Sequence, residues 1–198
     1  MVGMGGVDLQ ETSRGHRWQH GGRNSPTVYN AVFAVAQFWD GRAKDLEEQA
    51  GGPLVNPLEM DTTEAHVIEQ LEGIPGYLPV FAAAFPGEGK PITFANVRKA
   101  IAVFEATLIT PNAAFDAFLK GDEKALDACQ AAGLALFINK GCVACHNGIN
   151  VGGHMYAPFG VVERPGGDVL PIGDKGRFEV TKTASDEYVF KAPSLRNV

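Results

Sequence analysis

The sequence predicts a mainly α-helical protein of two units with long ordered loops, and three observations carry that prediction. Phe94, Val97, Ile101, Phe104 and Leu108 recur at spacings of three and four and paint one apolar stripe along a helix over Thr93–Leu108. Thr110-Pro111-Asn112 breaks that pattern and divides the chain into units 1–109 and 110–198. From Gly148 onward glycine and proline are frequent and no long helix is expected.

The elements follow in order. The stretch to Pro26, with its Gly5-Gly6 and Gly21-Gly22 pairs, reads as loop. The apolar run Ala31-Val32-Phe33-Ala34-Val35-Ala36, within Asn30–Trp39, fits a short buried helix or a buried loop, which periodicity does not separate. Asp40–Ala50 is expected to be helical, stopped by Gly51-Gly52-Pro53. Thr62 or Thr63 caps a helix that ends near Gly73. A short apolar helix over Pro75–Phe85 is closed by Pro86-Gly87. Asn96, Arg98, Lys99 and Glu105 take the side of the Thr93–Leu108 helix away from its stripe. Asn112–Leu119 and Glu123–Asn139 are the helices of the second unit, the latter with Leu126, Leu134, Phe137 and Ile138 as core candidates and Lys140-Gly141 as its end. Phe178-Glu179-Val180-Thr181 and Tyr188-Val189-Phe190 are expected to pair as short strands.

Of the 198 residues 45% are hydrophobic and 20% charged, a globular composition well away from the disordered class. The net charge of -6 argues against a nucleic-acid partner, since that binding depends on clustered Lys and Arg. No apolar run approaches the roughly 18 residues of a membrane span. Met1–Gly6 lacks the charged and apolar segments of a signal peptide. Two of the three cysteines share one tight motif, which leaves Cys129 to read as a small buried hydrophobe.

That motif is Cys142-Val143-Ala144-Cys145-His146. In such a run each thiol adds to one vinyl group of a porphyrin, the two-residue spacer sets the sulfurs at the vinyl positions, and the following histidine binds the iron. It therefore reads as a covalent haem c site with His146 as axial ligand. A redox dithiol would open a helix after a strand, whereas here a helix precedes. A zinc site would need a second pair of ligands, for which only Cys129 and His154 offer themselves, at a spacing that matches no zinc pattern. Met155 reads as packing, His66 as a surface residue, and His16 and His20 lie in the Gly-rich loop.

With the motif in place, the chain resembles the bacterial di-haem cytochrome c peroxidases, related to the MauG-type enzymes. The residues that carry the resemblance are Gly3-Met4-Gly5-Gly6, Gly15-His16, Arg23-Asn24-Ser25-Pro26-Thr27, Gln37-Phe38-Trp39-Asp40-Gly41-Arg42-Ala43, Pro57-Leu58-Glu59-Met60, Phe104-Glu105-Ala106-Thr107-Leu108, Gly141 to Gly148, Pro158-Phe159-Gly160 and Lys191-Ala192-Pro193-Ser194-Leu195-Arg196-Asn197. The resemblance implies two cytochrome-c-like domains, both incomplete here, and a periplasmic enzyme, a homodimer by family habit. That enzyme would reduce hydrogen peroxide with electrons from a small cytochrome c or cupredoxin. It implies that Cys142, Cys145 and His146 hold the electron-accepting haem. It further implies that His16 caps the peroxidatic iron at rest, Trp39 lies between the haems, and Glu59 is the distal acid, with Gln49 and Phe38 lining its pocket. Asn24 would be a calcium ligand. Heterolysis of the O–O bond needs a group that moves a proton between the two oxygens, which a carboxylate in a dry pocket can do. The family's first haem motif would lie just before Met1, and its remaining calcium ligands and usual distal methionine past Val198. The expectation is therefore a version trimmed at both ends, with one covalent haem site instead of two. An electron-carrying module without peroxide chemistry and a MauG-type protein-modifying oxidase are the alternatives.

Overall fold

The computed structural model describes residues 5–197, so the Gly3-Met4 part of one expected match lies outside the described residues. The protein is mainly helical, as expected, and forms two compact units, 1–28 with 43–107 and 29–42 with 108–198.

In the first unit, α1 (Leu46–Val55) starts where Asp45 accepts the Glu48 amide at 2.8 Å, a standard N-cap. It does not stop at Gly51-Gly52-Pro53 as expected. Pro53 lies inside it, at the cost of the helical bond that an N–H there would give to the Gln49 carbonyl. The packing of α1 on α4 (Phe94–Ala106) holds the helix there. Gly51 is buried so close to Arg98 that a Cβ there would come within 2.9 Å of its Cδ, and Arg98 Nε donates to the Glu47 carbonyl at 2.9 Å. Thr63 caps α2 (Glu64–Glu72) and Thr93 caps α4, each through its hydroxyl. With α3 (Tyr77–Ala84) these helices enclose a core of Phe81, Ile92 and Val97, backed by Leu54, Ile68, Leu71 and Ile101.

The apolar stripe on α4 is correct at Phe94, Val97 and Ile101, but Phe104 is exposed, because the core ends at Ile101. Asn96, expected on the polar side, is buried. Its amide donates to the Pro91 carbonyl and the Glu88 carboxylate at 2.9 and 2.7 Å, so burial leaves those donors satisfied.

In the second unit, α5 (Ala114–Leu119) and α6 (Ala128–Asn139) precede an antiparallel ribbon of β1 (Tyr156–Pro158) and β2 (Val189–Lys191), with Tyr156 opposite Lys191. The expected start of α6 at Glu123 moves to Ala128, because Asp127 and Gln130 form a reciprocal capping box at that point. The expected pairing of 178–181 with 188–190 is wrong. Phe178–Thr181 is a helical turn, α7, and β2 takes Tyr156–Pro158 as its partner.

Residues 29–42 fall in the second unit rather than the first. Buried Asn30 explains the shift: its amide bonds the Thr110 hydroxyl at 2.8 Å, its side-chain oxygen takes the Thr110 N–H at 2.9 Å, and its carbonyl takes the Asn150 amide at 2.9 Å. The apolar run there is neither regular helix nor uniformly buried. Ala31–Phe33 is one 3-10 turn, Ala36 is buried, and Val32, Phe33 and Val35 are exposed.

Candidate functional site

The cysteine motif owes its shape to a glycine. Gly141 adopts φ +81, which ends α6 and turns the chain into a 3-10 turn over Cys142–Ala144. The His146 amide then donates to the Cys142 carbonyl at 2.9 Å, and the Asn147 amide ties down the Val143 carbonyl at 2.8 Å. Cys142 is exposed, Cys145 and His146 are half-buried, and all three cysteines are free thiols. Cys129 is exposed rather than buried, because α6 buries none of its residues despite its apolar sequence.

A cleft of ≈ 680 Å³ lies beside this turn. Phe33, Phe115, Phe118, Leu134, Phe137 and Val143 supply its apolar wall, and His146 opens onto it. A lobe of ≈ 590 Å³ shares Phe115, Leu134 and Phe137. The His146 ring meets Phe137 at 6.5 Å and 57°.

Within the described residues no three His, Cys, Asp or Glu side chains gather as a metal cluster would. A wide apolar cleft with two thiols and one imidazole at its edge fits a flat macrocycle tethered at two carbons and ligated from one side. An apolar helix with no buried residue on that wall fits it too.

Behind the imidazole, Nδ1 of His146 is buried and has no hydrogen-bond partner. It faces Gly152, where a Cβ would come within 3.3 Å of Nδ1 and 2.1 Å of the Pro193 carbonyl oxygen. Iron-ligating histidines use this second nitrogen to fix ring orientation. Gly152 and Pro193 thus stand behind the imidazole, neighbours that the motif alone did not single out, although the Gly152-Gly153 pair was visible.

Arg196 was missed as well. It lines the cleft and grips Asp116 through two bonds, of 3.1 and 2.5 Å, while its Nε donates to the Ile149 carbonyl. The Arg196 hydrogen bond holds the Asp116 carboxyl below its ordinary 3.8, against the opposing effect of burial. Arg196→Met is expected to cost about 1 kcal/mol at neutral pH, by leaving the half-buried Asp116 carboxylate with the Ala113 amide alone. Because the folded pKa is lowered, the clasp stabilises fully above the ordinary value and is lost as pH falls through the lowered one. Thermal melts of the wild type and the variant should therefore converge in strong acid.

The remaining expected site residues divide between the units. His16 sits in a turn over 14–20 in the first unit, where its amide donates to the Glu59 carbonyl at 2.5 Å and its Nε2 lies 3.8 Å from Asp61. His16 and Glu59 are thus brought together through the main chain. Half-buried Glu59 takes the Asn56 amide at 3.2 Å, and Gln49 is half-buried on α1. Asn24 is exposed, with its amide on the Gln10 carbonyl at 2.8 Å. Phe38 and Trp39 belong to the second unit. Phe38 adopts φ +64 with the Arg42 guanidinium 3.5 Å from its ring centre, and the half-buried Trp39 gives its carbonyl to the Lys191 amide at 2.7 Å.

The chain is similar to known proteins along most of its length. The family described as di-haem cytochrome c peroxidase matches residues 1–124. The cytochrome c551 peroxidase of Pseudomonas aeruginosa is 61% identical over 197 residues, covering 100% of this chain and 57% of that protein. The cytochrome c551 peroxidase of Nitrosomonas europaea is 45% identical, covering 100% of this chain and 58% of its own length. The methylamine utilization protein MauG of Methylorubrum extorquens is 38% identical, covering 89% of this chain and 48% of that protein. Among solved structures, a MauG-like protein associated with microbial copper homeostasis matches with a TM-score of 0.79 at 25% identity, over 95% of this chain and 59% of that one. The chain spans little more than half the length of these two cytochrome c551 peroxidases.

Proposed function

Because this chain belongs to the di-haem cytochrome c peroxidase family, we propose that it serves a haem c peroxidase that reduces hydrogen peroxide to water with electrons from a small redox protein. The observation that supports this reading most is the apolar cleft with His146 and the two thiols at its edge. Cys142 and Cys145 would tether the haem and His146 would ligate its iron. A haem bound there supplies a one-electron store that a reduced cytochrome or cupredoxin can fill. Glu59 takes a proton from one peroxide oxygen and returns it to the other. Gln49 lines the peroxide pocket beside it. His16 blocks the peroxidatic side at rest, and Trp39 passes electrons. Asn24 contributes its side-chain oxygen to a calcium site. The 1–109 and 110–198 division assigns peroxide chemistry to the first unit and electron entry to the second, with residues 29–42 added to the latter. A periplasmic homodimer completes the reading. No helix of the described residues is long and apolar enough to cross a membrane.

A second reading, an electron carrier without peroxide chemistry, rests on the same cleft and thiols, which suit electron storage by itself. One experiment separates them. The chain is matured with haem c, weighed intact, and assayed for peroxide turnover with a reduced cytochrome. The peroxidase reading expects the mass of haem on wild type and none on C142A/C145A, with turnover falling about 100-fold or more in Glu59→Gln. Haem attachment without turnover would establish the carrier instead.

A further inference from the structure

The cleft beside His146 is walled by apolar side chains, yet two cations, Lys120 and Arg196, also line it. Arg196 is fixed in place. Its side chain is 14% exposed, Nη1 and Nη2 grip the Asp116 carboxylate, and Nε donates to the Ile149 carbonyl. A guanidinium carries five N–H donors, so these three bonds leave one on each Nη with no acceptor among the described residues. Exposed Lys120 directly follows α5, and its charge reaches the same Asp116 carboxylate. Asp116 is the one carboxylate on the cleft's lining among the described residues. It balances one of the two positive charges and leaves the other unmatched.

The group proposed for the cleft would bring the missing anion. Haem has its two vinyl groups, which the thiols would tether, on two of its pyrrole rings. The other two rings each carry a propionate. A carboxylate set into an apolar cleft is costly unless it meets a cation or hydrogen-bond donors. The two cations are the groups on this lining that offer both. A guanidinium can serve two carboxylates at once, because its donors point along more than one edge.

We propose that Arg196 is a haem-binding residue whose remaining N–H donors take a propionate carboxylate of the haem c held at His146, with Lys120 supplying the second positive charge. This rests on the haem reading above. The competing role confines Arg196 to clasping Asp116 and Ile149.

The full chain, matured with haem c, decides between them. Arg196→Lys keeps a cation for Asp116 but puts a point charge in place of the fork, so it serves one carboxylate and not two. In R196K the propionate bending bands of resonance Raman spectra shift. In Lys120→Met the midpoint potential falls, because a positive charge that favours the reduced iron is gone. Lys124→Met, at an exposed lysine off the cleft's lining, is the control and changes the potential less. Unchanged bands in a haem-loaded R196K overturn the Arg196 assignment alone. A fall in K120M no larger than in K124M overturns the part given to Lys120. If R196K does not take up haem, a crystal structure of the haem-loaded wild type takes its place: a propionate oxygen within hydrogen-bond distance of Nη1 or Nη2 supports the pairing, and propionates turned away from Arg196 overturn it. Absence of haem mass on the wild type overturns the haem reading and this assignment together.

Discussion

Gly152→Ala is expected to lower stability by about 3 kcal/mol or more and to cut the yield of covalently attached haem. Two effects add at this position. Its φ of +132 lies in a region that L-residues rarely adopt. A Cβ there would also press to 2.1 Å on the Pro193 carbonyl oxygen, a main-chain atom that moves only if its whole segment moves. That segment also walls His146, so the disturbance reaches its imidazole. Gly153→Ala is the matched control. It too has positive φ, +82, but its nearest neighbour would lie at an ordinary 3.7 Å. It should lose only the conformational term, about 1 kcal/mol. Thermal melts of both variants, with haem content measured by absorbance, check the ordering. Equal losses would refute the role given to the Pro193 contact.

Gly15→Ala should release the 14–20 turn from the 57–59 loop, with a loss of about 2–3 kcal/mol. Here the backbone is ordinary, with φ -105, so conformation is not the cause. The cause is contact: a Cβ would fall 1.9 Å from the Leu58 carbonyl oxygen and 2.7 Å from the Glu59 Cα. The turn is held by the bond from the His16 amide to the Glu59 carbonyl and by one from the Gln19 amide to the Pro57 carbonyl at 3.2 Å. Arg17 and Trp18 both take left-handed conformations within it, an unfavourable arrangement that survives only while those anchors hold. Exposed Trp18, beside Arg14, offers a fluorescence signal for the release. Gly22→Ala, with nothing within 4 Å of its Cβ, should change neither fluorescence nor stability measurably. A Gly15→Ala protein with native fluorescence and melting would show that the turn does not depend on this contact.

The helices were legible because their signals are local. Thr63 and Thr93 cap where hydroxyl residues precede apolar periodicity, and the cysteine motif follows the end of α6 as its spacing requires. What was illegible depends on partners far along the chain. A three-residue strand carries no pattern of its own, so nothing in the sequence joined Val189–Lys191 to Tyr156–Pro158. The affiliation of residues 29–42 turned on Asn30, a polar residue beside an apolar run, whose partners Thr110 and Asn150 are 80 and 120 residues away. At the candidate site the motif pointed to the two thiols and the imidazole that the structure sets at the cleft's edge. Gly152, Pro193 and Arg196 gained their places only through tertiary contact, since each meets a residue that sequence spacing does not connect to it.

Asn30 has a further consequence for how the protein can be taken apart. Because 29–42 lies between two stretches of the first unit, the unit that carries the cysteine motif is encoded discontinuously. A fragment begun at the Thr110-Pro111-Asn112 break would leave out the side chain that satisfies Thr110 and the carbonyl that receives the Asn150 amide. Excising that unit in one piece therefore calls for grafting 29–42 onto 108–198 through a designed linker, not for a single new start codon.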